Sequence, residues 1–334
     1  MKLVSLQICL LSILFISAAR ADQANNLEFP EGTVLNTSGD FGHVEKSGNG
    51  PVKMILIADV GFGWDIYKGF MKKNKKRFTM YAVTLPGSGG SPPLPMPAQN
   101  TSYGKRTGLE TLQTALLNLI QNEKIVRPVV AGNLLIASWL ALNTAINYPE
   151  KISGVIIFSG MPYASWPSPK DPTGKTPVSM VERVPNIDYY TMPRIFKPMS
   201  RETWLKNLFQ PYQYTNDSAL GSGLYWETTT VLIPAMARYL GEFYTTDVST
   251  QFMNIKIPVL VLVPGFNDEY FTSHPASTDK KYFWDEWTNA GTNNYFTIEK
   301  IPDARLFVWV DQPDMVDRSI RIFTENKFVY HSKK

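Results

Sequence analysis

Short apolar runs of strand length alternate with stretches of helical period along most of this chain, and that alternation restricts its fold more than any other feature. Residues 53–58 (KMILIA), 78–85, 128–131, 152–158, 257–263 and 295–301 read as buried strands. Between them, 65–76, 107–123, 134–148 and 313–326 read as helices, with Leu109, Leu112, Leu116 and Leu119 on one face of the second and Val316, Ile320 and Phe323 on one face of the last. Strands that alternate with helices form a parallel sheet covered on both sides, because each crossover lays its helix on a face. The expected fold class is therefore α/β, with a mostly parallel central sheet. The rhythm breaks over 161–254, a stretch rich in Trp, Tyr, Phe, Met and Pro with helical pieces near 200–209 and 228–243, and it resumes afterwards; residues 280–289 read as helical.

A composition of 44% hydrophobic and 19% charged residues supplies a full core and excludes a disordered, collagenous or disulfide-scaffold chain. The 33 basic and 29 acidic residues, net charge +4, are too evenly balanced for a nucleic-acid partner. The basic run Lys72-Lys73-Asn74-Lys75-Lys76-Arg77 reads as a solvated helix end.

The N-terminus carries an address. Lys2, a short apolar run and Ser17-Ala18-Ala19-Arg20-Ala21 have the form of a signal peptide over residues 1–21, cleaved before Asp22. A secreted or periplasmic protein is expected, with no membrane span after cleavage, since the run is shorter than a transmembrane helix. The single cysteine, Cys9, lies inside that signal. The mature chain thus lacks thiol nucleophiles, thiolate zinc ligands and disulfides. No metal and no cofactor is expected: His43, His274 and His331 are scattered, and the Gly-rich loop 86–93 lacks the Lys-Ser/Thr of a phosphate loop.

Five motifs, in order, resemble those of the α/β-hydrolases. Gly48-Asn49-Gly50-Pro51 before a strand, with the Gly61-Phe62-Gly63-Trp64 turn after it, is similar to the family's third strand and oxyanion loop. Leu85-Pro86-Gly87-Ser88-Gly89-Gly90-Ser91 resembles its L-P-G-x-G-x-S loop. The stretch from Val129 through Gly132-Asn133-Leu134-Leu135-Ile136 to Tyr148-Pro149-Glu150 resembles the nucleophile elbow and its helix, residues 257–268 the strand leading to the acid, and residues 303–314, with Asp311-Gln312-Pro313, the histidine loop. The resemblance implies a hydrolase core over 22–160 and 255–330, with a helical cap inserted at 161–254.

The chemistry departs from that pattern. Where the family writes G-x-S-x-G, this chain has Leu134 at the nucleophile position and Ile136 at the final glycine. The base position aligns with Leu306, and the acid position survives as Asp268, which has no base to orient. His274 is the histidine nearest the implied pocket. Of the alternative hydroxyls, Ser138 lies a helical turn beyond the elbow, and Ser88, Ser91 and Ser159 lie near other strand ends without a histidine partner. Leucine cannot attack a carbonyl, so the catalytic set is not intact. Gly61, Phe62, Trp64, Asn133, Leu134, Leu135 and Leu306 are expected to line an apolar pocket. The cap aromatics Tyr163, Trp166, Tyr189, Tyr190, Phe196, Trp204, Tyr225 and Trp226 supply cap core and, in part, a cavity for a small apolar or aromatic ligand. Three functions remain open: a non-catalytic binding or accessory module, an active esterase- or lipase-like hydrolase with a displaced nucleophile, and a filled fold that serves as a partner surface. The sequence does not identify a protein partner.

Overall fold

The valine- and isoleucine-rich runs pair into one eight-stranded sheet. The computed structural model of the protein describes residues 33–35, 40–98, 100–164, 179–196, 198–207, 211–228, 230–267, 270 and 283–328. The strands are β1 (Thr33–Leu35), β2 (His43–Ser47), β3 (Val52–Ile57), β4 (Phe78–Thr84), β5 (Val129–Asn133), β6 (Gly154–Phe158), β7 (Val259–Pro264) and β8 (Phe296–Ile301). Their order is β1-β2-β4-β3-β5-β6-β7-β8. β2 runs antiparallel to β1 and β4, and every other pairing is parallel.

The two-residue period of the central strands divides the core into two layers. Ile55, Ile57, Val130, Val155, Ile157, Val259 and Val261 project to one side, where α2 (Thr107–Asn122) and α3 (Ile136–Asn147) cover them. Met54, Leu56, Val129, Ala131, Ile156, Phe158, Leu260 and Leu262 project to the other. There they meet Phe70 and Met71 of α1 (Lys68–Asn74) and, from the C-terminal helix Pro313–Phe328, Val316, Ile320 and Phe323. The predicted apolar faces are therefore the buried ones.

The intervening stretch is helical: α4 (Met180–Asn186), a wider-turned segment Ile187–Phe196, α5 (Arg201–Asn207), α6 (Pro211–Tyr214), α7 (Ser218–Thr228) and α8 (Ile233–Phe243). Pro185 and Pro193 lie inside helical turns, which hid these elements from a reading that treats proline as a breaker. α9 (Val308–Asp311) precedes the C-terminal helix, α10. α8 joins the α2–α3 layer through Ala235, Met236, Tyr239, Leu240 and Phe243. Buried Glu242 accepts from the backbone amides of Gly108 (3.1 Å) and Leu109 (2.8 Å) at the start of α2 and pairs with Arg238, whose guanidinium also donates to the carbonyls of Thr101 and Ser102. Acid at a helix N-terminus is favourable, so α8 caps α2 from outside its own chain segment.

Several expectations shift. The helix predicted at 65–76 opens as a tight turn, Trp64–Tyr67, before α1. The helix predicted from 228 starts at Ile233, with Pro234 in its first turn where its missing N–H costs nothing. The basic run is not simply solvated: Lys73 Nζ reaches Asp314 (2.6 Å) and Arg77 grips both Asp317 oxygens (3.0 and 3.3 Å), tying the end of α1 to α10. Residues 285–292 form tight 3-10 turns rather than a regular helix. The segment 1–21, Asp268, His274, His331 and Trp166 lie outside the described residues.

Candidate functional site

β5 ends and α3 begins at a sharp turn centred on Leu134, which holds φ at 54°. A left-handed leucine costs about 1–2 kcal/mol, so the turn is imposed by its surroundings. Gly132 shows how: a Cβ there would lie 2.2 Å from the Ala137 carbonyl oxygen, and only glycine lets α3 pass this close to β5. The amide of Leu134 donates to Phe158 O and its carbonyl accepts from Met161, fixing both sides of the turn to the end of β6. Positive φ recurs just past the C-terminal ends of the next three strands, at Ser159 (50°), Phe266 (30°) and Asp303 (54°). Such strain gathers where a fold presents a site.

The side chains presented there are hydrocarbon. Leu134, Leu306 and Phe62 are buried in one cluster, with Trp64 and Leu135 packed against its margin. Five of the seven residues expected at the pocket thus belong to one apolar cluster. Around them, Phe62, Tyr214 of α6 and Phe307 meet edge to face, with ring centroids 5.1, 5.4 and 5.4 Å apart. The amides of Leu306 and Phe307 donate to the carbonyls of Gln213 (3.1 Å) and Tyr214 (2.6 Å), so the inserted segment is stitched to the loop that carries Leu306. Asp311 completes that seam by accepting from Thr215, Asn216 and the Arg305 amide. Gly61 and Asn133 serve the backbone instead: Gly61 N donates to Ser88 Oγ (3.0 Å), and Asn133 Oδ1 accepts from Asp59 N (2.9 Å).

Asp59 is the residue that sequence reasoning missed. It lies two residues past the end of β3 and is 2% exposed. Its carboxylate accepts three consecutive backbone amides at the start of α3, from Leu135 (3.1 Å), Ile136 (2.8 Å) and Ala137 (3.1 Å). Burial raises its carboxyl to about 6, against these amides and that of Val60, which pull the other way. Its charge also adds to the burial that lifts the Tyr67 hydroxyl well above the ordinary tyrosine range. An acid at the end of an apolar strand, just before a Gly-rich turn, was the available signal.

The hydroxyls weighed as alternative nucleophiles are engaged or enclosed. Ser88 accepts from Gly61, and Ser91 Oγ donates to Ser88 O (2.6 Å). Ser138 and Ser159 are fully buried, with hydroxyls that meet no hydrogen-bond partner among the described residues. His43 bonds to Glu45 (3.3 Å) and stacks on Trp64 at 5.7 Å between ring centroids, which brings it nearer the Gly61–Trp64 turn than its strand position implied. Of the cap aromatics, Phe196 is buried, Trp204 is half-buried, and Tyr189 and Tyr190 face solvent at 74% and 46% exposure rather than a cavity. Among the described residues, no three His, Cys, Asp or Glu side chains converge on a metal position, and no helix is long and apolar enough to cross a membrane.

This strand order and strand-to-helix turn define the α/β-hydrolase fold. Solved structures agree. An esterase from Thermogutta terrifontis matches at TM-score 0.61 and 17% identity, over 89% of this chain and 99% of that one. MenH from S. aureus matches at TM-score 0.63 and 14% identity (85% and 98%). An enol-lactonase from Burkholderia xenovorans LB400 matches at TM-score 0.59 and 14% identity (88% and 100%). No family model and no curated protein sequence matches the chain. At these identities the likeness is one of fold.

Proposed function

We propose that the protein is an exported, non-catalytic α/β-hydrolase-fold module, binding or accessory in role, rather than an acyl-transfer enzyme. The observation that carries this reading is Leu134 at the φ 54° turn between β5 and α3, where hydrolases of this fold hold their nucleophile. A methyl-terminated side chain there has no lone pair with which to form an acyl intermediate. Leu306, at the aligned base position, is buried in the same apolar cluster and supports the reading. Export rests on the signal-like residues 1–21. The ligand class that a floor of Leu134, Leu306, Phe62 and Phe307 favours is apolar or aromatic.

The test is covalent labelling. Full-length protein is treated with a fluorophosphonate probe across roughly pH 6–9, the range in which an imidazole base would act. No label is expected at any serine. Stoichiometric label on one serine, lost when that serine is replaced by alanine, would overturn the reading in favour of a displaced nucleophile.

A further inference from the structure

We propose that the Asp59 carboxylate is a resident anion seated in the amide pocket at the start of α3, closing that pocket to any oxyanion or free carboxylate from outside. In hydrolases of this fold, the amide following the nucleophile and an amide from the loop after β3 bind the oxyanion of the tetrahedral intermediate. Here the first of these, Leu135 N, donates to Asp59 Oδ2 at 3.1 Å, and the next two amides of α3 donate to Oδ1. The opposite wall is engaged as well: Phe62 N donates to Asp59 O (3.1 Å) and Gly61 N to Ser88 Oγ (3.0 Å). The residue just before α3, Leu135, offers no side-chain cap. The charge that the helix end attracts is therefore supplied from another strand.

Asp59 is held to this task from both sides. Its own amide is anchored on Asn133 Oδ1, and it has no cationic partner among the described residues. An unpaired buried carboxylate is expensive unless amides or dipoles compensate it, and the α3 amides are what compensate this one. An incoming acyl oxygen would meet occupied donors and a like charge. Restoring a hydroxyl at position 134 would not by itself restore an oxyanion site.

This inference deepens the non-catalytic reading, and its test does not depend on turnover. In the full-length Asp59→Ala variant the amides lose their anion, and formate is small enough to take its place. Formate at tens of millimolar should raise the Tm of Asp59→Ala by about 2 °C or more and leave the wild-type chain unmoved, with chloride at equal ionic strength as control. Equal shifts in both proteins, or none in the variant, would overturn the proposal. Should Asp59→Ala not fold, the amide resonances of Leu135, Ile136 and Ala137 in the wild-type chain provide the test. They should move together with a single midpoint near pH 6, where Asp59 loses its charge. The other titratable group in its field is Tyr67, whose hydroxyl donates to Ile57 O (3.1 Å) and stays protonated throughout. Amides that stay still through that range would sink the assignment. Wild-type ester hydrolysis would remove the functional reading and leave this one standing.

Discussion

The amide of Phe307 donates to the carbonyl of Tyr214 at 2.6 Å, and their rings meet edge to face at 5.4 Å. One contact therefore joins the loop before α9 to α6 of the inserted segment, with Phe62 wedged against both rings. The Gly-rich turn after β3, the loop before α9 and α6 therefore pack as a unit. A double-mutant cycle on Phe62→Ala and Tyr214→Ala, read by chemical denaturation, should give a coupling of about 0.5–1.5 kcal/mol. Strict additivity would show that the segment rests on the floor without being coupled to it.

Leu134 inverts an ordinary ranking. Glycine in a regular element normally costs about 0.5–1 kcal/mol more than alanine. At a φ of 54° the order reverses, because glycine escapes the left-handed penalty that alanine keeps. Both variants lose the leucine packing, about 2–5 kcal/mol. Leu134→Gly should nevertheless be more stable than Leu134→Ala by about 1 kcal/mol. The reverse order would mean that the turn is not strained.

Asp59 makes stability depend on pH in a defined direction. Its folded carboxyl lies near 6, above the ordinary 3.8, so the folded state holds this proton more tightly than the unfolded chain does. The resulting contribution is complete below about pH 4 and disappears as pH rises through 6. Two pH units of displacement correspond to about 3 kcal/mol. Relative to Asp59→Asn, which cannot titrate, the wild type should therefore lose about that much stability between pH 4 and 7, whatever the constant offset between the two proteins. A pH-independent difference would show that Asp59 is not buried as described.

Glu242 anchors the inserted segment to α2. Glu242→Gln leaves Arg238 buried without its counter-charge, and the loss should be about 3–5 kcal/mol in an equilibrium unfolding experiment. Adding Arg238→Met to Glu242→Gln should cost less than the sum of the two single changes, because the uncompensated charge is removed with it. A double variant as damaged as the sum of the two singles would contradict this account of the pair.

The central strands and their covering helices were legible because their burial is two-sided and periodic: Val259, Val261 and Val263 fall on one face of β7, and Leu260 and Leu262 on the other. The turn at Leu134 was legible because Gly132 marks the close crossing of β5 and α3. Two kinds of feature were not. α4 and the segment after it carry internal prolines, and local rules read these as breaks. Asp59 and Tyr214 act on backbone far away in sequence, Asp59 on amides 76–78 positions ahead. No local pattern encodes such a pairing. Trp64 sits beside the Gly-rich turn in sequence, while its stacking on His43 depends on the register of β2 against β4, which neither segment specifies alone.

The most direct test of the whole account is hydrolysis of a p-nitrophenyl ester by the purified full-length chain, followed over roughly pH 6–9 beside Ser138→Ala. Aliphatic carbon at positions 134 and 306 predicts a rate equal to the buffer blank for both proteins. A saturable wild-type rate that vanishes in Ser138→Ala would contradict it.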